Sequence, residues 1–253
     1  MPPETRTRTS TLLGSELSLP PPFTLVVLRE VGDAFAHAVS IAGEQGAGTL
    51  VYVGRFDLAE FAIVIEPEEP LRQARRVFYA GMAALADALA AHAQPETAIN
   101  IDWPDSILVN GGLVGGGQLG WPRGANEDAT APWLVFSAMI RTVSMAGIDP
   151  GLNPLSTALE EEGFTDVLAT QLAESFARHF MVIVDAWQEQ GFSAVAKSYL
   201  QRLSLDKNLR CEIDHNGDLL LHHFGKVGPE RKKLLPCLAV PVWLDPATRG
   251  PRL

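Results

Sequence analysis

Cysteine is scarce in this chain of 253 residues, and lysine is absent from most of it. The 2 cysteines, Cys211 and Cys237, lie in a long chain without a secretory-type segment ahead of them, so a disulfide scaffold is not expected and a reducing, cytoplasmic setting is. Long apolar runs are missing too. The alanine-rich stretch at 80–93 is broken by Asp87 and His92 and falls short of the roughly 18 apolar residues of a membrane span. A surplus of positive charge is lacking as well: the formal net charge is −10, which argues against a nucleic-acid partner. The first lysine is Lys197. Residues 1–190 hold 24 Asp+Glu and 10 Arg, a net −14; residues 191–253 hold 6 Asp+Glu, 5 Lys and 5 Arg, a net +4. The asymmetry reads either as a compositional preference for arginine or as two units of opposite sign that attract one another.

The remaining composition is that of a globular chain, with 47% hydrophobic and 20% charged residues. Residues 1–22, with Arg6, Arg8 and a Pro20, Pro21, Pro22 run, are expected to form a flexible arm. From Phe23 the pattern predicts a short strand (FTLVVL), a helix over 32–43, and two strands, TLVYV and FAIVIEP, joined by a tight GRFDLAE connection. Val77, Phe78, Met82, Leu85 and Leu89 recur at helical spacing and predict one helix over 72–92 that covers a sheet. Two strands then flank a glycine-rich turn, and WLVFSAMIRTV supplies another. Thr157 with Glu160 three residues later reads as a capping box ahead of a long helix that runs through Phe164, Phe176 and Trp187 to Gly191. Asn216 and Gly217 predict a two-residue hairpin turn within LRCEIDHNGDLLLHHFG.

The most informative stretch is IDWPDSILVNGGLVGGG at 101–117. It combines a strand, a Trp-Pro kink bearing Asp102, Asp105 and Ser106, a second strand, and the run Gly115, Gly116, Gly117. Such glycines either form a bulge or close strand contact or let a ligand approach the backbone; the pattern alone leaves both open. Asp102 and Asp105, with Glu66, either cap the turn through backbone N–H groups or serve as an acid/base pair or Mg²⁺ ligands. Trp103, Trp121 and Trp133 line either a core or an apolar pocket.

This segment resembles the biotin and lipoate protein ligase family, whose members carry Lys-Trp-Pro-Asn-Asp, an aliphatic strand, a turn, and a lysine shortly before a glycine. Trp103, Pro104, the run Ile107, Leu108, Val109, the turn at Asn110 and Gly111, and Gly116 match, and the order of elements follows from Phe23 to Leu238. The resemblance implies an α/β (α+β) fold: a class II synthetase-like catalytic domain with a mixed sheet backed by helices at 23–190, and a small β-rich C-terminal domain at 191–253. It also implies an activity, ATP- and Mg²⁺-dependent conversion of a biotin- or lipoate-type carboxylic acid to the acyl-adenylate and transfer to a lysine of a biotin- or lipoyl-carrier domain. The site residues it suggests are Gly54, Arg55, Trp103, Pro104, Asp105, Gly115, Gly116, Gly117 and Arg141 for binding and Asp102 for catalysis, to which Lys226 is added as a catalytic candidate because the family's own lysines are missing.

Several positions depart from the family pattern. The arginine- and glycine-rich loop shrinks to GRFDLAE, leaving Gly54 and Arg55; the lysine before Trp-Pro is Asp102; Asn-Asp becomes Asp105 and Ser106; the second lysine is Leu113; and Ser137 and Arg141 stand for a Gly and an Asn. Adenylation places charge on the α-phosphate, and losing one stabilising cation commonly costs about 10² to 10³ in rate. If this chemistry persists, its cations come from Arg55, Arg141 or the GKVGPERKK segment with Lys226; the alternative for that segment is a solvated basic loop. Without them the same fold would be a catalytically degenerate module that recognises the cofactor or a modified carrier. A cysteine-nucleophile acyltransferase lacks its residues in the large domain, and His215, His222 and His223 with the two cysteines lack zinc-site spacing, so no metal ligands are assigned.

Overall fold

The computed structural model describes residues 17–144, 155–165, 167–205 and 209–252. Its centre is a seven-stranded sheet in the order β1-β2-β3-β7-β6-β5-β4. The strands are β1 (Thr24–Leu28), β2 (Thr49–Val53), β3 (Leu58–Ile65), β4 (Ile99–Asp102), β5 (Ser106–Val109), β6 (Gly112–Gly120) and β7 (Leu134–Arg141). Only β1 and β2 pair in parallel, so the sheet is mixed. Alternation along each strand divides the side chains between two faces, and the two faces are covered very differently.

One face carries the main core. It is packed by α3 (Val77–Ala90), α4 (Ala169–Gln190) and α5 (Phe192–Arg202). Phe61 of β3 and Phe136 of β7 meet Phe176 of α4 with ring centroids 4.7 and 5.7 Å apart, and Phe180 extends the stack at 5.6 Å. Gly81 of α3 lies against the Phe136 ring, where any Cβ would overlap it. The other face is covered in part by α1 (Ala34–Gln45), whose Ala34, Ala38 and Ala42 lie flat on Val51, Val53, Ala62, Val64 and Val135. Small side chains bring this helix close to the sheet. Asp33 caps it by accepting from the Ala36 N–H at 2.8 Å.

Three sequence expectations change in detail. The single helix expected over 72–92 is α2 (Leu71–Ala74) followed by α3, with Arg75 and Arg76 between them. Arg75 is 4% exposed, pairs with Glu127 and lies 4.8 Å over the Trp121 ring, an arrangement that hydrophobic periodicity does not register. Thr157 does not cap the long helix. Its hydroxyl donates to Glu162 at 2.9 Å and Glu161 at 3.1 Å within a turn, and α4 begins only at Ala169. The hairpin turn occurs where Asn216 and Gly217 predict it, but spans five residues, because Ile213 pairs with Leu219.

The C-terminal region contains β8 (Arg210–Ile213), β9 (Leu219–His222) and β10 (Glu230–Lys232) in one small sheet, α6 (Leu234–Leu238), and the pair β11 (Leu244–Asp245) and β12 (Gly250–Pro251). The chain is therefore α+β, with small β-rich sheets following the mixed one. The Gly217 turn is held on the helical side, where its carbonyl accepts from Tyr79 Oη at 2.6 Å. Near the other end of the chain, Leu17 and Leu19 pack on the main core and the Ser18 N–H donates to Glu174 at 2.7 Å. Residues 17–22 of the expected arm are thus seated, and residues 1–16 lie outside the described residues. The α5 helix packs Val195 and Tyr199 into the same core as α3 and α4. Among the described residues, no helix is long and apolar enough to cross a membrane.

Candidate functional site

The glycines of β6 show which face could receive a ligand. A side chain at Gly117 would point toward the helical core, 2.6 Å from Met82 Sδ. Gly116 points the opposite way; a Cβ there would overlap the Asp105 carbonyl oxygen and the Trp243 indole. Gly120 faces Phe35 and Val39 of α1 on that same side. Gly115 has φ 152°, next to the register shift between Ile107 and Leu108, so this run contains a bulge as well as a bare surface.

That surface is covered by the chain itself. Residues 242–252 leave α6, round the β4–β5 turn and lie against β6 and β7 as the β11–β12 pair. Trp243 is 1% exposed and its indole N–H donates to the Gly117 carbonyl at 2.9 Å. The Val242 N–H donates to Asp105 Oδ2 at 2.9 Å, and Arg141 Nη2 donates to the Pro251 carbonyl at 2.6 Å. Asp105 is 2% exposed and also accepts from Ser106 Oγ at 3.1 Å; burial pushes its carboxyl up to about 6.

The other residues singled out from the sequence fall into separate groups. Trp103 turns to the helical side: its indole N–H reaches Tyr79 Oη at 3.3 Å, while Tyr199 Oη donates to the Pro104 carbonyl at 2.9 Å. The Trp103-Pro104 turn therefore links the sheet edge to α3, α5 and the Gly217 turn, and it does not line the same surface as Gly116. Asp102 is exposed at the end of β4. Arg55 follows the exposed Gly54 and is engaged twice by Asp57, at 3.0 and 2.7 Å, with Glu60 and Glu30 also acting on its charge. Lys226 lies exposed in the β9–β10 connection, its N–H donating to the His223 carbonyl. The bonds from the C-terminal region to the Gly116 face come from Val242, Trp243 and residues 251–252 instead.

Two residues at this face were not singled out. Glu60, in the otherwise apolar LAEFAIVI strand, is 4% exposed and accepts the Ala34 N–H at 2.7 Å. Burial raises its carboxyl, and the Ala34 bond partly offsets that. Its signal was a lone carboxylate within a strand of apolar residues. Trp243 offered less, a single tryptophan among the turn-forming residues of PVWLDPATRGP.

Comparison with known proteins agrees with the mixed sheet and the order of its elements. A sequence model of the biotin/lipoate A/B protein ligase family matches residues 19–201. The chain belongs to that family. It is 27% identical to a biotin–[acetyl-CoA-carboxylase] ligase of Paracoccus denitrificans, in an alignment that covers 78% of this chain and 84% of the relative. Among solved structures it is similar to a biotin protein ligase-like protein of unknown function from a Silicibacter species, with TM-score 0.72, 25% identity and coverage of 85% of this chain and 96% of that one. The biotin protein ligase of Aquifex aeolicus in complex with biotin and ATP shares the fold, with TM-score 0.59, 14% identity and coverage of 82% and 94%.

The residues present do not accommodate a biotin-type ring on Gly116 while Trp243 is seated, since even a Cβ there overlaps the indole. Nor are the two candidate arginines free for a triphosphate. Arg55 is bound to Asp57 and Arg141 to main-chain carbonyls, and residues 1–190 contain no lysine. Among the described residues, no three His, Cys, Asp or Glu side chains form a metal-holding group.

Proposed function

We propose that this family member is a recognition module: it binds a biotin- or lipoate-type carboxylic acid, or a carrier domain bearing one, at the Gly116 face, and does not form the acyl-adenylate. The observation that carries this reading is the commitment of both candidate arginines to partners within the protein. A charge-developing phosphoryl transfer needs cations that are preorganised and unneutralised. Asp57, Glu60 and Glu30 near Arg55 make the surroundings still less suited to ATP.

A second reading is the ligase itself: ATP- and Mg²⁺-dependent activation of the acid and transfer to a carrier lysine in the cytoplasm. It is favoured by the alignment over most of the Paracoccus ligase. Pyrophosphate exchange with ATP, Mg²⁺ and a panel of biotin, lipoate and octanoate separates the two. Saturable binding of one acid without exchange is the expected result. Exchange that depends on one acid would establish the ligase and remove the recognition module. In that case Lys226, Asp102, Arg55 and Arg141 are the residues to substitute first.

A further inference from the structure

Trp243 is an anomaly among the buried residues. It is the largest fully buried side chain described, yet neither hydrophobic cluster of the protein contains it. Val240 and Val242, which lead into it, are mostly exposed, at 70% and 60%, while Leu244 after it is half-buried. One side of the indole rests on glycine backbone, with the floor at Gly116 and its ring N–H on Gly117. This is the relation of a ligand to its site: a flat bicyclic ring on a side-chain-free floor, fixed by one directed hydrogen bond.

Three groups of the sheet hold the segment, and each has a distinct polarity. The Gly117 carbonyl accepts a ring N–H, Asp105 accepts a second N–H, and Arg141 donates to oxygen at Pro251 and Arg252, at 2.6 and 3.3 Å. An occupant therefore offers N–H donors at one end and acceptor oxygens at the other. We infer that residues 242–252 are a tethered, displaceable occupant of the Gly116 face, anchored by Trp243, so that release of this strap opens the site and frees Arg141. That a fused-ring acid with a ring N–H and a carboxylate replaces the strap rests on the recognition reading above; the receptor relationship between face and strap does not.

The strap is held by backbone and side-chain bonds to the sheet that are few in number, and a tethered segment competes at millimolar effective concentration. A free peptide should therefore gain access only when the tethered anchor is removed. A fluorescent peptide with the sequence of residues 240–253 is titrated by anisotropy into full-length wild-type protein and into full-length Trp243→Ala. The expected result is binding to the variant at least about tenfold tighter than to wild type, lost when the peptide's own tryptophan is replaced by alanine. Equal binding to both proteins, binding to neither, or equal binding of the alanine peptide would overturn the inference.

Hydrogen exchange of the wild-type protein provides a test that does not depend on the variant folding. The Val242 and Arg252 amides, bonded to Asp105 and to the Trp243 carbonyl, should exchange at least about 100-fold faster than the amides of β7, because the strap opens by itself. Exchange at the β7 rate would make the strap part of the global fold and end the proposal. Biotin, lipoate and octanoate are then added to the peptide–variant complex. Displacement supports the recognition reading; bound peptide that no acid displaces removes that reading and leaves the strap as an occupant of its own face.

Discussion

The two faces of one sheet are closed by different means. On the helical face, three helices bring a continuous aromatic stack onto β3 and β7, and burial is shared among many side chains. On the opposite face, α1 contributes buried alanines with half-buried Phe35, Val39 and Ile41 beside them, and the strap contributes one tryptophan over glycine. Dispersion and desolvation sum over contacts, so the first face resists local opening and the second rests on a few directed bonds. The helical side is thus the more strongly packed of the two, and on the recognition reading proposed above the glycine side is the one that changes.

The largest effect should come from emptying the helical face. Phe176→Ala is expected to cost about 3 to 5 kcal/mol, measured as a urea midpoint at constant m-value. Trp243→Ala, despite the larger side chain, should lower the midpoint less. A larger loss for Trp243→Ala would show that the glycine face is core as well and dissolve the contrast.

Asp105 comes next. Its carboxyl is raised to about 6 in the fold by burial, with Asp102 adding repulsion and the Val242 N–H and Ser106 opposing the shift; Tyr199 and Cys237 are close enough to sense its charge. The unfolded chain has an ordinary aspartate near 3.9, so the folded state binds the proton more tightly. The associated stability is therefore complete below about pH 4 and lost as pH rises through about 6, a swing of roughly 3 kcal/mol. Asp105→Asn should abolish that swing, seen in urea midpoints between pH 4 and 7.5; parallel curves for the two proteins would refute the assignment.

Smaller effects are expected at Glu60 and Arg55. Glu60→Ala leaves the buried Ala34 N–H without its partner and should cost about 1 to 3 kcal/mol, whereas Glu60→Gln keeps an acceptor and should be nearly neutral. Equal losses in thermal melts would mean that the charge, and not the bond, is what α1 needs. Arg55→Ala removes a partly exposed pair with Asp57 and should cost about 1 kcal/mol or less, declining further in high salt.

Much of this was legible in the sequence where periodicity reports burial. The strand at Thr49–Val53 coincides with its apolar run, and the stripe of Val77, Phe78, Met82, Leu85 and Leu89 faces the main core. What stayed hidden depends on long-range contact. The break at Arg75 reflects a guanidinium buried against Trp121 and Glu127, some 50 residues away in sequence. The α5 helix has only Val195 and Tyr199 fully buried, too few for a clear stripe, and the sequence pattern passed over it. At the candidate site, the glycine run was identifiable by composition, but its partner was not. No local rule pairs a glycine with a tryptophan far along the chain, and the Trp-Pro motif drew attention to the helical side of the sheet instead.

Trp243 follows Gly117 by 126 positions. Synthesis at about 5 to 20 residues per second therefore leaves β6 without its indole cover for roughly 6 to 25 s after Gly117 has been made, and the strands of this face exist before the segment that closes it.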